Sequence, residues 1–215
     1  TSVASVAIGN SANFVGTAPG ADVIFGTYQT DTDLANLGFQ AAAQNAVAWN
    51  NSWGYTGLRL NLADFNLAFS GLSGQNYLSS LETFAGQGVV VFAASNDSLR
   101  NATLMEGLPF LRPDLEAGWI AAVNGVPTMS GNTVTGVHLL SNACWQAARW
   151  CLIADGTWNA ATGSGSAYAP TTGSSFAAPQ ISGALALLAQ AFPSLSAHQL
   201  RVRLLASAED DFFTP

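Results

Sequence analysis

Two kinds of apolar run alternate along this chain. Short unbroken runs are bounded by turn residues, and longer stretches place apolar residues at helical spacing. The clearest short run is "GVVVFAA" over 88–94, whose lack of polar alternation predicts a strand buried on both faces. Further strands are predicted over 21–28, following the turn "GTAPGADV", and within "VAWNNSWG", "GWIAAVNG", "VTGVHLLS" and "WCLIA". Helical patterns fall between them. Residues 2–7 place Val3, Val6 and Ala7 on one face, and 31–46 read as a helix with Asp31 or Asp33 as its N-cap. "NYLSSLETFAGQ" is a third helix, preceded by a helical insertion with loops over 58–74. The last two are 171–192 and "LSAHQLRVRLLASA", where Ser196 and Gln199 have the spacing of a capping box. Strands alternating with helices predict an α/β fold with a mainly parallel sheet covered on both sides. No internal repeat or linker stands out, so 1–215 reads as one domain.

Composition narrows the picture. Hydrophobic residues make up 49% of the chain and charged residues 9%. Even so, no run reaches the roughly 18 apolar residues needed to cross a bilayer. A net charge of -7 disfavours nucleic acid as a partner, because phosphates attract basic surfaces.

The candidate chemistry begins with "TTGSSFAAPQISGALALLAQAF", Thr171 to Phe192. A serine at the start of a helix sits beside backbone N–H groups that have no partner and favour negative charge. Gly173 would let the backbone approach closely, and Ala177 and Ala178 keep the first turn slim. Pro179 has no N–H to offer the Ser175 carbonyl, a cost of about 3 kcal/mol in an ordinary helix. The alternative is a serine N-cap followed by a proline in a tolerant position.

"GSSFAAP" resembles the nucleophile motif Gly-Thr-Ser-x-Ala-x-Pro of the subtilisin-like serine proteases, the subtilases, with Ser174 in place of the threonine. "VVVFAASND" resembles the strand that ends in the family's oxyanion-hole asparagine, and "NNSWG" resembles the segment lining its substrate cleft. Together these span nearly the whole chain in the expected order. The resemblance implies a three-layer subtilisin-like fold and hydrolysis of a polypeptide substrate. Ser175 would be the nucleophile and Asn96 the oxyanion donor. Ser52, Trp53 and Gly54 would line the cleft, where "SWG" offers a backbone edge to an extended peptide, although Trp53 could equally be core. Ala93 would form a wall of the pocket for the side chain preceding the cleaved bond. Asp97 would stand at that pocket's rim or be a solvated loop acid. The resemblance implies no required cofactor, and structural calcium is compatible with it.

A hydroxyl nucleophile needs an imidazole base, and that base needs an orienting acid. The chain has two histidines, His138 and His198, and neither matches the family's base position. The family carries that base in His-Gly-Thr-x-Val-Ala. This chain opens "TSVASVA", so Thr1, Val3 and Ala4 match with no His-Gly before them. The expectation is an incomplete peptidase domain, starting just after its His-Gly and lacking the segment that bears aspartate and histidine. Alone it would be inactive, and the missing part would contribute strands to the sheet. Two other classes stand beside this reading. A non-catalytic peptide-binding pseudoprotease shares the motifs. An α/β-hydrolase esterase would need Gly-x-Ser-x-Gly, which neither Ser175 nor Ser73 provides.

Cys144 and Cys151 in "CWQAARWC" enclose a loop short enough to close as a disulfide, with two buried thiols as the alternative. Their spacing does not suit a zinc site. A bridge implies an oxidising location, secreted, periplasmic or at the cell surface. The segment also resembles the subtilase passengers of bacterial autotransporters, which implies an outer-membrane translocator domain as a partner.

Overall fold

Helix α1 (Ser2–Ile8) leads into a small hairpin of β1 (Asn10–Ser11) and β2 (Phe14–Val15). Helix α2 (Asp31–Ala43), strand β3 (Ala48–Asn51), helices α3 (Leu62–Ala68) and α4 (Gly71–Ala85) and strand β4 (Val89–Ala93) follow. Then come β5 (Trp119–Ser130), β6 (Thr133–Leu139), β7 (Cys151–Ala154), the hairpin β8 (Thr157–Ala161) and β9 (Tyr168–Thr172), and helices α5 (Ser174–Ala191) and α6 (Ala197–Ala206). The structure, a computed structural model, describes residues 2–97, 101–163 and 167–208. Thr1, part of the opening match, lies outside the described residues.

The central sheet runs β3-β4-β5, with β7 also paired to β5, and all four strands are parallel. Strand β6 folds back antiparallel on the far end of β5 and forms an arm. All five residues of β4 are buried. The pleat explains this, because successive side chains serve opposite layers. Val90 and Phe92 join a core with Leu34 of α2 and Tyr77, Leu81 and Phe84 of α4. Val89, Val91 and Ala93 join a second core with Ala178, Ile181 and Leu185 of α5 and Leu200 of α6. The result is the expected three-layer α/β arrangement, with the parallel sheet between helices.

Several local expectations are corrected. The cap of α2 is neither Asp31 nor Asp33 but Thr30, whose hydroxyl accepts from the Asp33 N–H while the Asp33 carboxylate accepts from the Thr30 N–H. Asp31 instead accepts a bond from the Tyr55 hydroxyl at 2.9 Å. Residues 21–28 form no strand among the described residues. Their apolar positions supply side chains but no ladder partner, and Phe25 is left 68% exposed. The hairpin β8–β9 was not anticipated from the sequence. The capping box at Ser196 and Gln199 is present. Cys144 and Cys151 form a disulfide with their Cα atoms 6.1 Å apart. No helix among the described residues is long and apolar enough to cross a membrane.

Candidate active site

Parallel strands place their C-terminal ends on one side of a sheet, and the loops leaving those ends are where open α/β folds hold ligands. Ser52 directly follows β3, Ala94 directly follows β4, and Asn96 stands two residues further on. The start of α5 lies across both. Ser175 is half-buried in the first turn, where backbone N–H groups have no partner within the helix.

Gly173 makes this entry possible, for a different reason than expected. Its φ is +154°, a conformation that side-chain-bearing residues rarely adopt, whereas a Cβ there would meet Asn96 Oδ1 at an ordinary 3.6 Å. Backbone freedom between β9 and α5 therefore selects glycine, rather than close approach. Close approach operates at Gly156, where a Cβ would lie 2.2 Å from the Gly173 carbonyl oxygen. Asn124 ties this region together from a fully buried position. Its Oδ1 accepts from the Gly156 N–H at 2.8 Å and its Nδ2 donates to Thr172 Oγ1 at 3.1 Å.

The first turn of α5 is fastened to the end of β4. The Ser174 N–H donates to Asn96 Oδ1 at 3.1 Å. The Ser174 hydroxyl lies within bonding distance of the Ala94 carbonyl and of Asn96 Oδ1. A backbone N–H can only donate, so the carboxamide must present its oxygen to Ser174. Its Nδ2 is then the group left over, with no partner among the described residues, 3.9 Å from where a Cβ on Gly173 would stand. Behind Asn96, the buried Glu106 carboxylate accepts from the N–H groups of Ser95 and Thr103 at 3.2 and 2.7 Å and from the Thr103 hydroxyl at 2.6 Å. Neither Glu106 nor Asn124 carries a sequence signal. Each is a polar residue beside an apolar run, and the partners come from distant segments.

The end of β3 supplies the other wall. Ser52 Oγ donates to the Ser175 carbonyl at 2.9 Å, and Ser175 Oγ lies 3.3 Å from the Ser52 carbonyl. The Trp53 ring packs among Tyr28, Tyr55, Tyr77 and Phe92, and its Nε1 donates to Asn51 Oδ1 at 3.2 Å. Burial, and then the bond to Asp31, raise the Tyr55 hydroxyl above its usual range, so it stays a neutral donor under this wall. A Cβ at Gly54 would meet nothing within 4 Å, so open space lies in front of that backbone. Ala93 is buried beside the site in β4, and Asp97 is exposed and accepts a bond from the Ser95 hydroxyl at 2.5 Å.

Neither histidine joins these groups. His198 Nε2 bonds the carbonyl of Ala85, just before β4 begins, so it lies at the opposite end of the sheet. His138 is exposed on the β6 arm, opposite Val126. Among the described residues no three His, Cys, Asp or Glu side chains gather to hold a metal ion. An apolar groove of about 800 Å³ lies between β6, β7 and α6, and none of Ser52, Asn96 or Ser175 lines it.

Comparison with known proteins gives a consistent picture. A sequence model described as the subtilase family matches residues 1–214. Serotype-specific antigen 1 of Mannheimia haemolytica is 27% identical, over 77% of this chain and 18% of its own length, so the chain spans less than a fifth of that relative. Among solved structures, the self-cleaved protease domain of PatA superposes with a TM-score of 0.72 at 22% identity, covering 97% of this chain and 74% of that one. Sphericase gives 0.69 at 22% identity, covering 97% and 68%. The prenylagaramide maturation protease PagA gives 0.70 at 20% identity, covering 97% and 72%.

Proposed function

We propose, from the premise that this chain belongs to the subtilase family, that it carries the nucleophile and oxyanion site of a serine endopeptidase. Ser175 attacks the scissile carbonyl of a polypeptide. The oxygen then becomes negatively charged and is held by Asn96 Nδ2 and the Ser175 N–H. The observation that carries this reading is the Asn96 carboxamide, fixed through its oxygen by the Ser174 N–H so that its donor is left for a ligand. The backbone after β3, at Ser52, Trp53 and Gly54, offers an edge to an extended peptide. Ala93 walls the pocket for the side chain preceding the cleaved bond. The packing of the Trp53 ring favours a backbone rather than a side-chain role for that residue.

The base and its acid come, in this proposal, from a segment outside the 215 residues, because neither histidine of this chain stands at Ser175. That segment also adds strands beside β3. No cofactor enters this chemistry, since a hydroxyl and an imidazole suffice. The Cys144–Cys151 bridge supports an oxidising location, secreted, periplasmic or at the cell surface. A relative named as an antigen accords with this, and an outer-membrane translocator domain is the corresponding partner.

In the full-length protein, a fluorophosphonate probe is expected to label one residue, Ser175, and peptide hydrolysis is expected to disappear with that labelling. One observation favours a second reading: neither histidine stands at Ser175. A pseudoprotease would bind peptides with equal affinity before and after Ser175→Ala and resist the probe at full length. That result would replace the peptidase reading.

A further inference from the structure

A proline inside a helix leaves one carbonyl without its usual donor, and here that carbonyl belongs to Ser175. The structure fills the vacancy from another strand. Ser52 Oγ donates to the Ser175 carbonyl at 2.9 Å. Asn50 Nδ2 donates to Ser52 Oγ at 3.0 Å, which directs the single hydroxyl proton of Ser52 onto Ser175. Ser182 Oγ, one turn beyond the proline, donates to the Ala178 carbonyl at 3.0 Å and lies 3.3 Å from Asn50 Oδ1. The Ser175 hydroxyl closes the circuit on the Ser52 carbonyl at 3.3 Å. One short segment after β3 therefore holds Ser175 by both its backbone and its side chain.

We propose that Ser52 is a positioning residue for Ser175. Its hydroxyl replaces the N–H that Pro179 lacks and sets where the nucleophile's backbone sits over the end of β3. This rests on the peptidase reading, and it gives the Ser52 side chain a task separate from the substrate edge its backbone offers. A nucleophile displaced by even 1 Å loses on the order of a hundredfold in rate, so a single bond that fixes the turn matters to turnover.

In the full-length protein, Ser52→Ala is expected to lower kcat on a peptide p-nitroanilide about tenfold with KM nearly unchanged. Ser52→Thr keeps a hydroxyl and is expected to restore most of the loss. The decisive comparison is with Pro179→Ala, which returns an N–H to position 179. In that background, removing the Ser52 hydroxyl should lower kcat no more than about twofold, because the two changes share one acceptor. An equal fall in both backgrounds overturns the proposal, as does a rise in KM with kcat unchanged. A wild-type protein without peptidase activity would sink the peptidase reading instead. The wild type, Ser52→Ala, Pro179→Ala and the double variant would then test the bond by thermal unfolding. Coupled losses in Tm would support it, and additive losses would overturn it.

Discussion

Expressed alone, the 215 residues are expected to hydrolyse peptides about a million-fold more slowly than the full-length protein, the loss known for subtilisin, of the same family, when its catalytic histidine is removed. A serine hydroxyl becomes an effective nucleophile only when a neighbouring base takes its proton. His198 is held at the Ala85 carbonyl, beyond the N-terminal end of β4. Four residue steps of strand separate that end from Ala93, on the order of 13 Å. His138 extends from the β6 arm, where its backbone pairs with Val126. What stays behind in the proposed arrangement is an oxyanion site and a substrate edge, worth roughly a thousand- to ten-thousand-fold over water. The measurement is the rate of fluorophosphonate labelling of Ser175 in the short chain and in the full-length protein under the same conditions. Brisk labelling of the short chain would mean that its own residues activate the serine.

Asn96→Ala in the full-length protein is expected to lower kcat about 100- to 1,000-fold with little change in KM, a range established for the oxyanion asparagine of subtilisin. Alanine, however, also removes the acceptor of the Ser174 N–H, so some of the loss could come from a loosened α5. Asn96→Asp separates the two. A carboxylate still accepts from Ser174, so the melting temperature should stay close to wild type. It cannot donate, and its charge repels an oxyanion, so kcat should fall at least as far as in the alanine variant. A normal kcat in Asn96→Asp would show that this side chain fastens the helix and does nothing for the reaction.

What could be read in the sequence follows from how local each signal is. The unbroken run over 88–94 identifies β4, because burial on both faces leaves no position for a polar residue. The proline in α5 also announced itself, since its missing N–H is a local fact with one consequence at Ser175. Where that consequence would be met was not legible, because Ser52 lies 123 residues away in sequence. Asn124 and Glu106 were silent for the same reason: their partners lie on other segments. Residues 21–28 show the reverse failure. The alternation of Val23 and Phe25 suits a strand, but pairing requires a neighbour, and none of the described strands takes that place. At the start of α2, two aspartates resemble caps equally well. Thr30 takes the position because its backbone is extended (φ -136°, ψ 159°), while Asp31 already lies within the helix.

The most direct test of the account is a crystal structure of the full-length protein with a peptide boronate. The account predicts a covalent bond from boron to Ser175 Oγ, with one boronate oxygen about 2.7–3.1 Å from both Asn96 Nδ2 and the Ser175 N–H. A boronate bonded elsewhere, or one whose oxygens all point away from Asn96, would contradict it.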